Sequence, residues 1–176
     1  MGGAAQTNQA EHRQRCVLFN PASTPFADLI LRVVAPAARS FAVTARSSVC
    51  RGETDIDAAM KLARGERGGV LVMPEVFTTV HRDAIVSAAA RHRVPAVYPD
   101  EISTSHGELI SYGIDPADVF RRCASYIDRI LKGENSGDLP VQNPTKFRLT
   151  ISLKTARAIG LSVPPTLLAL ADAVTE

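Results

Sequence analysis

Polar and aromatic side chains gather where this chain leaves its apolar runs: Asn20 and Ser23, Glu75 with Phe77 and Thr78, Tyr98 and Asp100, Ser111 and Tyr112. A cleft for a small organic molecule needs such a set, with hydrogen bonds to fix orientation and rings to supply contact area. Glu75 and Asp100 could also pair across neighbouring strand ends, as general acid-base work requires. Nothing marks a nucleophile or an oxyanion donor near them, so two solvated loop carboxylates are the plainer reading. Binding therefore fits better than catalysis, and no enzyme is expected. The candidate ligand contacts are Asn20, Ser23, Glu75, Phe77, Thr78, Asp100, Ser111 and Tyr112, with no catalytic residue among them.

The chemistry missing from the sequence narrows the reading further. There is no G-x-G-x-x-G, no G-x-x-x-x-G-K-[ST] and no G-x-S-x-G, so dinucleotide, P-loop and hydrolase-elbow readings have no support and no cofactor is expected. His12, His81, His92 and His106 form no H-E-x-x-H pair and read as surface residues. Cys16, Cys50 and Cys123 cannot all pair within one chain and show no metal-ligand spacing, so they read as small buried or semi-exposed thiols. No metal site is expected. A net charge of +2, with Lys and Arg scattered among Asp and Glu, gives no nucleic-acid surface.

These residues must be held by an alternation of strands and helices. Val70–Met73 follows Gly68-Gly69, is too short for a helix and reads as a strand buried on both faces, stopped by Pro74. The polar loop after it lies at the carboxyl end of a strand, where open parallel sheets bind ligands. Phe77 reads there as an exposed aromatic. Further strands are expected near 16–19, 41–44, 94–98 and 109–112. Helices are expected from Thr24-Pro25 through Val34, from Thr54 or Asp55 to Ala63, and from His81 to Arg93. Phe26, Leu29, Ile30, Val33 and Val34 give the first of these one buried stripe, and Pro36 should kink or end it.

Asp115-Pro116 caps the clearest helix, in which Val119, Phe120, Cys123, Ala124, Ile127, Ile130 and Leu131 recur at threes and fours before Gly133. A Gly/Ser/Asn/Pro linker, an alternating strand over Phe147–Leu153, a helical turn at Thr155–Ile159 and a last helix from Pro165 through Val174 complete the chain. An all-β sandwich is disfavoured, because only 5% of the residues are aromatic and Ala, Val, Leu and Ile dominate. The expected class is α/β, an open parallel sheet with helices on both faces. Ile102–Gly107 reads as a loop. Met1–Arg15 reads as a disordered leader without the apolar core of a secretory signal or a membrane span, so the chain as written would stay in the cytosol.

From Ile110 onward, ISYGID, YIDRILKGE, DLPVQNPTKF and SLKTARAIGLSVPPTLLALAD follow in an order and spacing that resemble the carboxyl-terminal half of ABC-transporter solute-binding proteins related to tryptophan-binding lipoproteins. VLFNPASTPFA, VLVMPEVFTTVHRDAI and AARHRVPAVYP resemble the middle of the same family, so the resemblance spans about Cys16 to Glu176. It implies a periplasmic-binding-protein type I-like lobe with the first lobe largely missing, a truncated member of the family. It also implies a small organic solute, aromatic amino acids being the best-known cargo, ABC permease and ATPase subunits as partners, and a periplasmic location.

By that pattern 16–114 is the second α/β lobe, 115–146 is a helix and linker crossing the hinge to the first lobe, and 147–176 is a return strand and C-terminal helix. With the first lobe absent, helix 116–131 is expected to pair two copies as a homodimer. The alternatives are a small flavodoxin-like enzyme and a non-functional remnant that self-associates.

Overall fold

The structure is a computed structural model that describes residues 13–65, 68–100 and 107–176. The first twelve residues of the expected leader, His12 included, and residues 101–106, with His106, lie outside the described residues. The chain divides into two compact units, Met1–Ala96 and Val97–Glu176.

The first unit is built on β1 (Arg13–Phe19), which begins earlier than the expected Cys16 because Arg13, Gln14 and Arg15 already pair with the next strand. β1 runs parallel to β2 (Val43–Val49) on one side and to β3 (Val70–Val72) on the other. Phe19 lies opposite Val49 and Leu18 opposite Val72, so the three carboxyl ends form one rim. Alternation then divides the core. Val17 and Phe19, with Leu71, Met73 and Ala45, pack against Ala27, Ile30, Leu31 and Val34 of α1 (Ala27–Ser40). Cys16 and Leu18 point to the other face, which α2 (Glu53–Ala63) and α4 (Arg82–His92) cover with Ile56, Met60, Ile85 and Ala89. The turn from α2 into β3 needs glycine at 68, since a Cβ there would lie 1.8 Å from the Ala63 carbonyl oxygen.

Three expectations for this unit change. Pro36 sits inside α1 without ending it; both Pro36 and Arg32, whose carbonyl loses its N–H partner, are exposed, so water can satisfy that oxygen. α1 starts at Ala27 with no side-chain cap, its first turn held by the Ala27 N–H donating to the Thr24 carbonyl at 3.0 Å. Its apolar residues do not form one buried stripe. Phe26, Leu29 and Val33 are exposed, while Ile30, Leu31 and Val34 carry the packing.

In the second unit, β4 (Ala96–Tyr98), whose first residue closes the first unit, runs parallel to β5 (Ile110–Ile114). β6 (Phe147–Ser152) is antiparallel to β5, and β7 (Ala173–Thr175) is parallel to β6. The pairing is therefore mixed, in an α/β fold. Leu109, Ala156 and Ile159 form the core here, with Ile110 and Val163 against them. β6 stops at Ser152, one residue short of the expected Leu153, because the Ser152 hydroxyl accepts the Thr155 N–H at 3.2 Å and caps α6 (Leu153–Ile159). The expected last helix is cut to α7 (Pro165–Leu168). Asp172 redirects the chain: its N–H donates to the Leu149 carbonyl and its carboxylate accepts the Leu149 N–H, each at 2.8 Å, which seats β7 on β6. α5 (Pro116–Leu131) follows β5 as expected, with Pro116 in its first turn.

Close backbone approach makes Gly113 as demanding as Gly68, with a Cβ there 2.0 Å from the Pro99 carbonyl oxygen. Gly68→Ala and Gly113→Ala should each lower stability by about 1–3 kcal/mol, since backbone and not a flexible side chain must yield. Urea unfolding would read the shift, whereas Gly65→Ala, where a Cβ meets nothing within 4 Å, should leave the midpoint nearly unchanged.

Candidate functional site

The rim of the first unit is organised by one carboxylate. After Pro74 the chain enters α3 (Val76–Val80), a five-residue helix in a stretch that reads from sequence as a plain loop. Glu75 caps it. Its Oε2 accepts the Phe77 N–H at 2.7 Å and the Ser23 hydroxyl at 2.5 Å. Oε1 accepts the Thr78 N–H at 3.2 Å and the Asn20 N–H at 3.3 Å. A carboxylate offers about four lone-pair directions, and all are taken by donors from two loops, the one after β1 and the one after β3. The Asn20 side-chain oxygen accepts the Ala22 N–H at 2.8 Å and so holds its own loop in a turn.

Asn20, Ser23, Glu75, Phe77 and Thr78 are thus brought together, and each is engaged by the fold, Phe77 and Thr78 most deeply. Phe77 is 7% exposed, its ring stacked on His81 at 4.2 Å between centroids. The sequence expectation of a ring free of the core is not met, because α3 turns Phe77 and Thr78 inward and leaves Val76 and Val80 in solvent. The Thr78 hydroxyl lies 2.7 Å from the Met73 carbonyl and 2.9 Å from that of Glu75. Sequence reasoning missed both α3 and the carboxylate that caps it. The only signal was a Glu two and three residues before Phe77 and Thr78, with no helical period behind it.

The second unit holds Asp100, Ser111 and Tyr112. Tyr112 is 54% exposed and its ring lies 5.7 Å from that of Phe147, at 16° between planes. Ser111 is buried opposite Thr150, and among the described residues neither hydroxyl has a hydrogen-bond partner. Tyr98 is buried, and Asp100 is half-buried after the end of β4.

α5 is fastened by a chain of polar contacts. Asp115 accepts the Ala117 N–H at 2.9 Å and the Asp118 N–H at 3.2 Å, and Lys146 Nζ lies 3.0 Å from its other oxygen. The Lys146 ammonium and the capping N–H groups hold the Asp115 carboxyl below the usual carboxylate range against the pull of burial. Farther along, Arg122 reaches Asp118 at 2.8 Å and Thr145 at 2.5 Å, Tyr126 donates to the Pro140 carbonyl and Arg129 pairs with Glu134. Phe120, Ile127 and Leu131 are exposed, and α5 has no buried residue.

Of the described histidines, His81 meets the Phe77 carbonyl through Nδ1, and His92 joins Asp57 at 2.8 Å, tying α4 to α2. Among the described residues no group of three His, Cys, Asp or Glu could hold a metal ion, and no helix is long and apolar enough to cross a membrane.

The sequence profile of the family described as ABC transporter substrate binding protein matches residues 16–175. The chain belongs to that family. No curated protein sequence matches it significantly. Solved structures similar to this chain include a conserved domain protein from Vibrio cholerae O1 biovar El Tor (TM-score 0.78, 19% identity) and an ABC domain in complex with L-Trp from Streptococcus pneumonia (TM-score 0.77, 18% identity). A third is the ligand-free, open form of a substrate binding protein with adhesive properties from Clostridium difficile (TM-score 0.66, 13% identity). They cover 93%, 92% and 94% of this chain, which itself spans only 55% of each of theirs. At these identities the likeness shows the fold alone.

Removing the carboxylate should release both loops. Glu75→Ala should cost about 2–3 kcal/mol, the worth of a charged hydrogen-bond acceptor at a helix start, and Ser23→Ala about 1 kcal/mol. Urea unfolding would measure both, and faster hydrogen exchange confined to the Asn20, Phe77 and Thr78 amides would locate the release.

The thiols give a second expectation. Burial, then the charges of Asp55, Cys16 and Glu75, push the Cys50 thiol up to about 12, and burial also raises Cys16 against the pull of Arg46. Cys123 is exposed. At pH 8 a disulfide reagent should therefore modify one thiol quickly and the other two only in denaturant. Because the folded chain holds the Cys50 proton more tightly than the unfolded chain does, this contribution is complete below the ordinary thiol pKa of 9.0 and is lost as pH climbs towards about 12.

Proposed function

We propose that the chain is the solute-holding lobe of an ABC-type uptake system, taking a small planar organic solute such as an aromatic amino acid or a related compound. The observation that carries this reading is the Tyr112 ring, 54% exposed beside Phe147 on β5 in a chain whose family model covers residues 16–175. An exposed ring backed by a second ring costs little to desolvate and offers a flat face to a planar ligand. The solved relative holding L-Trp supports the same class of cargo. Asp100 is the carboxylate offered to an ammonium group. Glu75, saturated by four donors, sets the loop positions of Asn20 and Ser23. Permease and ATPase subunits are the partners this role needs, in an extracytoplasmic setting.

In this reading 115–146 belongs with a first lobe, which would cover the bare stripe of α5. Where that lobe is absent, a second copy pairing through α5 takes its place. Enclosure supplies much of a pocket's affinity, so the chain on its own should bind weakly.

Calorimetric titration with L-tryptophan, L-phenylalanine, L-leucine and L-lysine tests the proposal. The expected result is measurable binding of the aromatic pair alone, weakened about tenfold or more in Tyr112→Ala, the loss of a stacking contact worth roughly 1 kcal/mol or more together with its buried area. Equal binding of leucine, or an unchanged affinity in Tyr112→Ala, would remove the stacking role.

A further inference from the structure

α1 presents a second apolar stripe that its own unit does not use. Phe26, Leu29 and Val33 recur at three and four along its outer side, and Phe41 follows at its end; they are 51%, 65%, 68% and 75% exposed. Asp28, Arg32 and Arg39 stand along one flank of that stripe, and all three are exposed. Among the described residues none of the three makes an ion pair or a side-chain hydrogen bond. α5 differs. Its stripe is also bare, but its flanking charges are consumed within the chain, by Arg122 with Asp118, Arg129 with Glu134 and Lys132 with Asp128. Unspent charges beside an unburied apolar stripe are what a partner with the complementary pattern would satisfy.

That pattern is complementary to itself. We propose that α1 is a self-association surface, on which two copies of the chain pair their outer stripes antiparallel about a twofold axis between Val33 and Val34. In an antiparallel helix pair the same flank of each helix faces the other. This register sets Phe26 opposite Phe41, and Asp28 opposite Arg39 of the second copy, twice over by symmetry. A fourteen-residue helix is about 21 Å long, enough for a few layers of contact and for a dimer of modest affinity. Among the described residues the neighbouring β2 is bonded on one side only in the strand order, so the contact also lies beside that edge of the sheet. The proposal is independent of the solute-binding reading, since no residue of that site takes part.

Sedimentation equilibrium across a concentration series tests it, with every protein carrying Ile127→Glu so that the α5 stripe contributes nothing. A monomer–dimer equilibrium is expected. Arg39→Glu and Asp28→Arg should each weaken it about fivefold or more, since two attractive contacts per dimer become repulsive. The double reversal, Asp28→Arg with Arg39→Glu, should restore it, and Leu29→Glu should abolish it. Circular dichroism checks that each variant is folded. A chain that stays monomeric at high concentration, single reversals without effect, or a double reversal that fails to restore association would each overturn the proposal.

Discussion

Burying β1 on both faces is the constraint from which the first unit follows. Cys16, Val17, Leu18 and Phe19 are all at most 4% exposed, and consecutive strand residues point to opposite sides. Neither side can therefore face water, and helices must arrive on both: α1 over Val17 and Phe19, α2 and α4 over Cys16 and Leu18. Full burial of each such aliphatic side chain is worth about 1.5–3 kcal/mol. A strand used in this way also needs hydrogen-bonded neighbours on both edges, since a lone buried backbone group costs more than its bond is worth. Parallel β2 and β3 supply them, and parallel pairing brings all three carboxyl ends to the same rim.

That rim would be the least ordered part of the unit without Glu75. Two loops leaving neighbouring parallel strands have no ladder to hold them together, and their free N–H groups must find acceptors. One carboxylate meets the N–H groups of Asn20, Phe77 and Thr78 and the Ser23 hydroxyl together, so the loops share a single anchor. Its negative charge, placed at the start of α3 and surrounded by donors, is already satisfied by the protein. A cation reaching Glu75 would have to displace a protein donor.

How much of this was legible in the sequence depends on how far each signal reaches. Val17–Phe19 and Val70–Val72 were readable because a strand buried on both faces leaves an unbroken apolar run, and α5 was readable because its cap, proline and period agree. β2 was placed early, at 41–44 instead of Val43–Val49, because a strand at the edge of the order carries Arg46, Ser47 and Ser48 in place of an apolar run. α3 was invisible because five residues cannot show a helical period and Glu is not among the favoured capping types. β7 was lost because three residues at the end of the chain take their structure from Asp172 meeting Leu149, a contact that no local pattern encodes. Among the candidate site residues, Phe77 was misjudged because its exposure depends on which side of an unseen helix it occupies.

α1 marks the limit of periodicity as evidence. Its apolar residues fall into two stripes, Ile30, Leu31 and Val34 on one side and Phe26, Leu29 and Val33 on the other, and hydrophobic spacing alone cannot say which one meets the core. Charge does distinguish the two bare stripes the fold leaves behind. On α5, Asp118, Arg122, Asp128, Arg129 and Lys132 all have partners within the chain, so whatever covers Phe120, Ile127 and Leu131 must be recognised chiefly by apolar shape. On α1 the flanking charges have no partner among the described residues and are opposite in sign at the two ends of the helix, Asp28 at the start and Arg39 at the finish. This polarity also suits the helix itself, an acid in the first turn and a base in the last. The arrangement that favours the isolated helix is the one that makes two such helices attract head to tail, so self-complementarity arises here without any residue placed for that purpose alone.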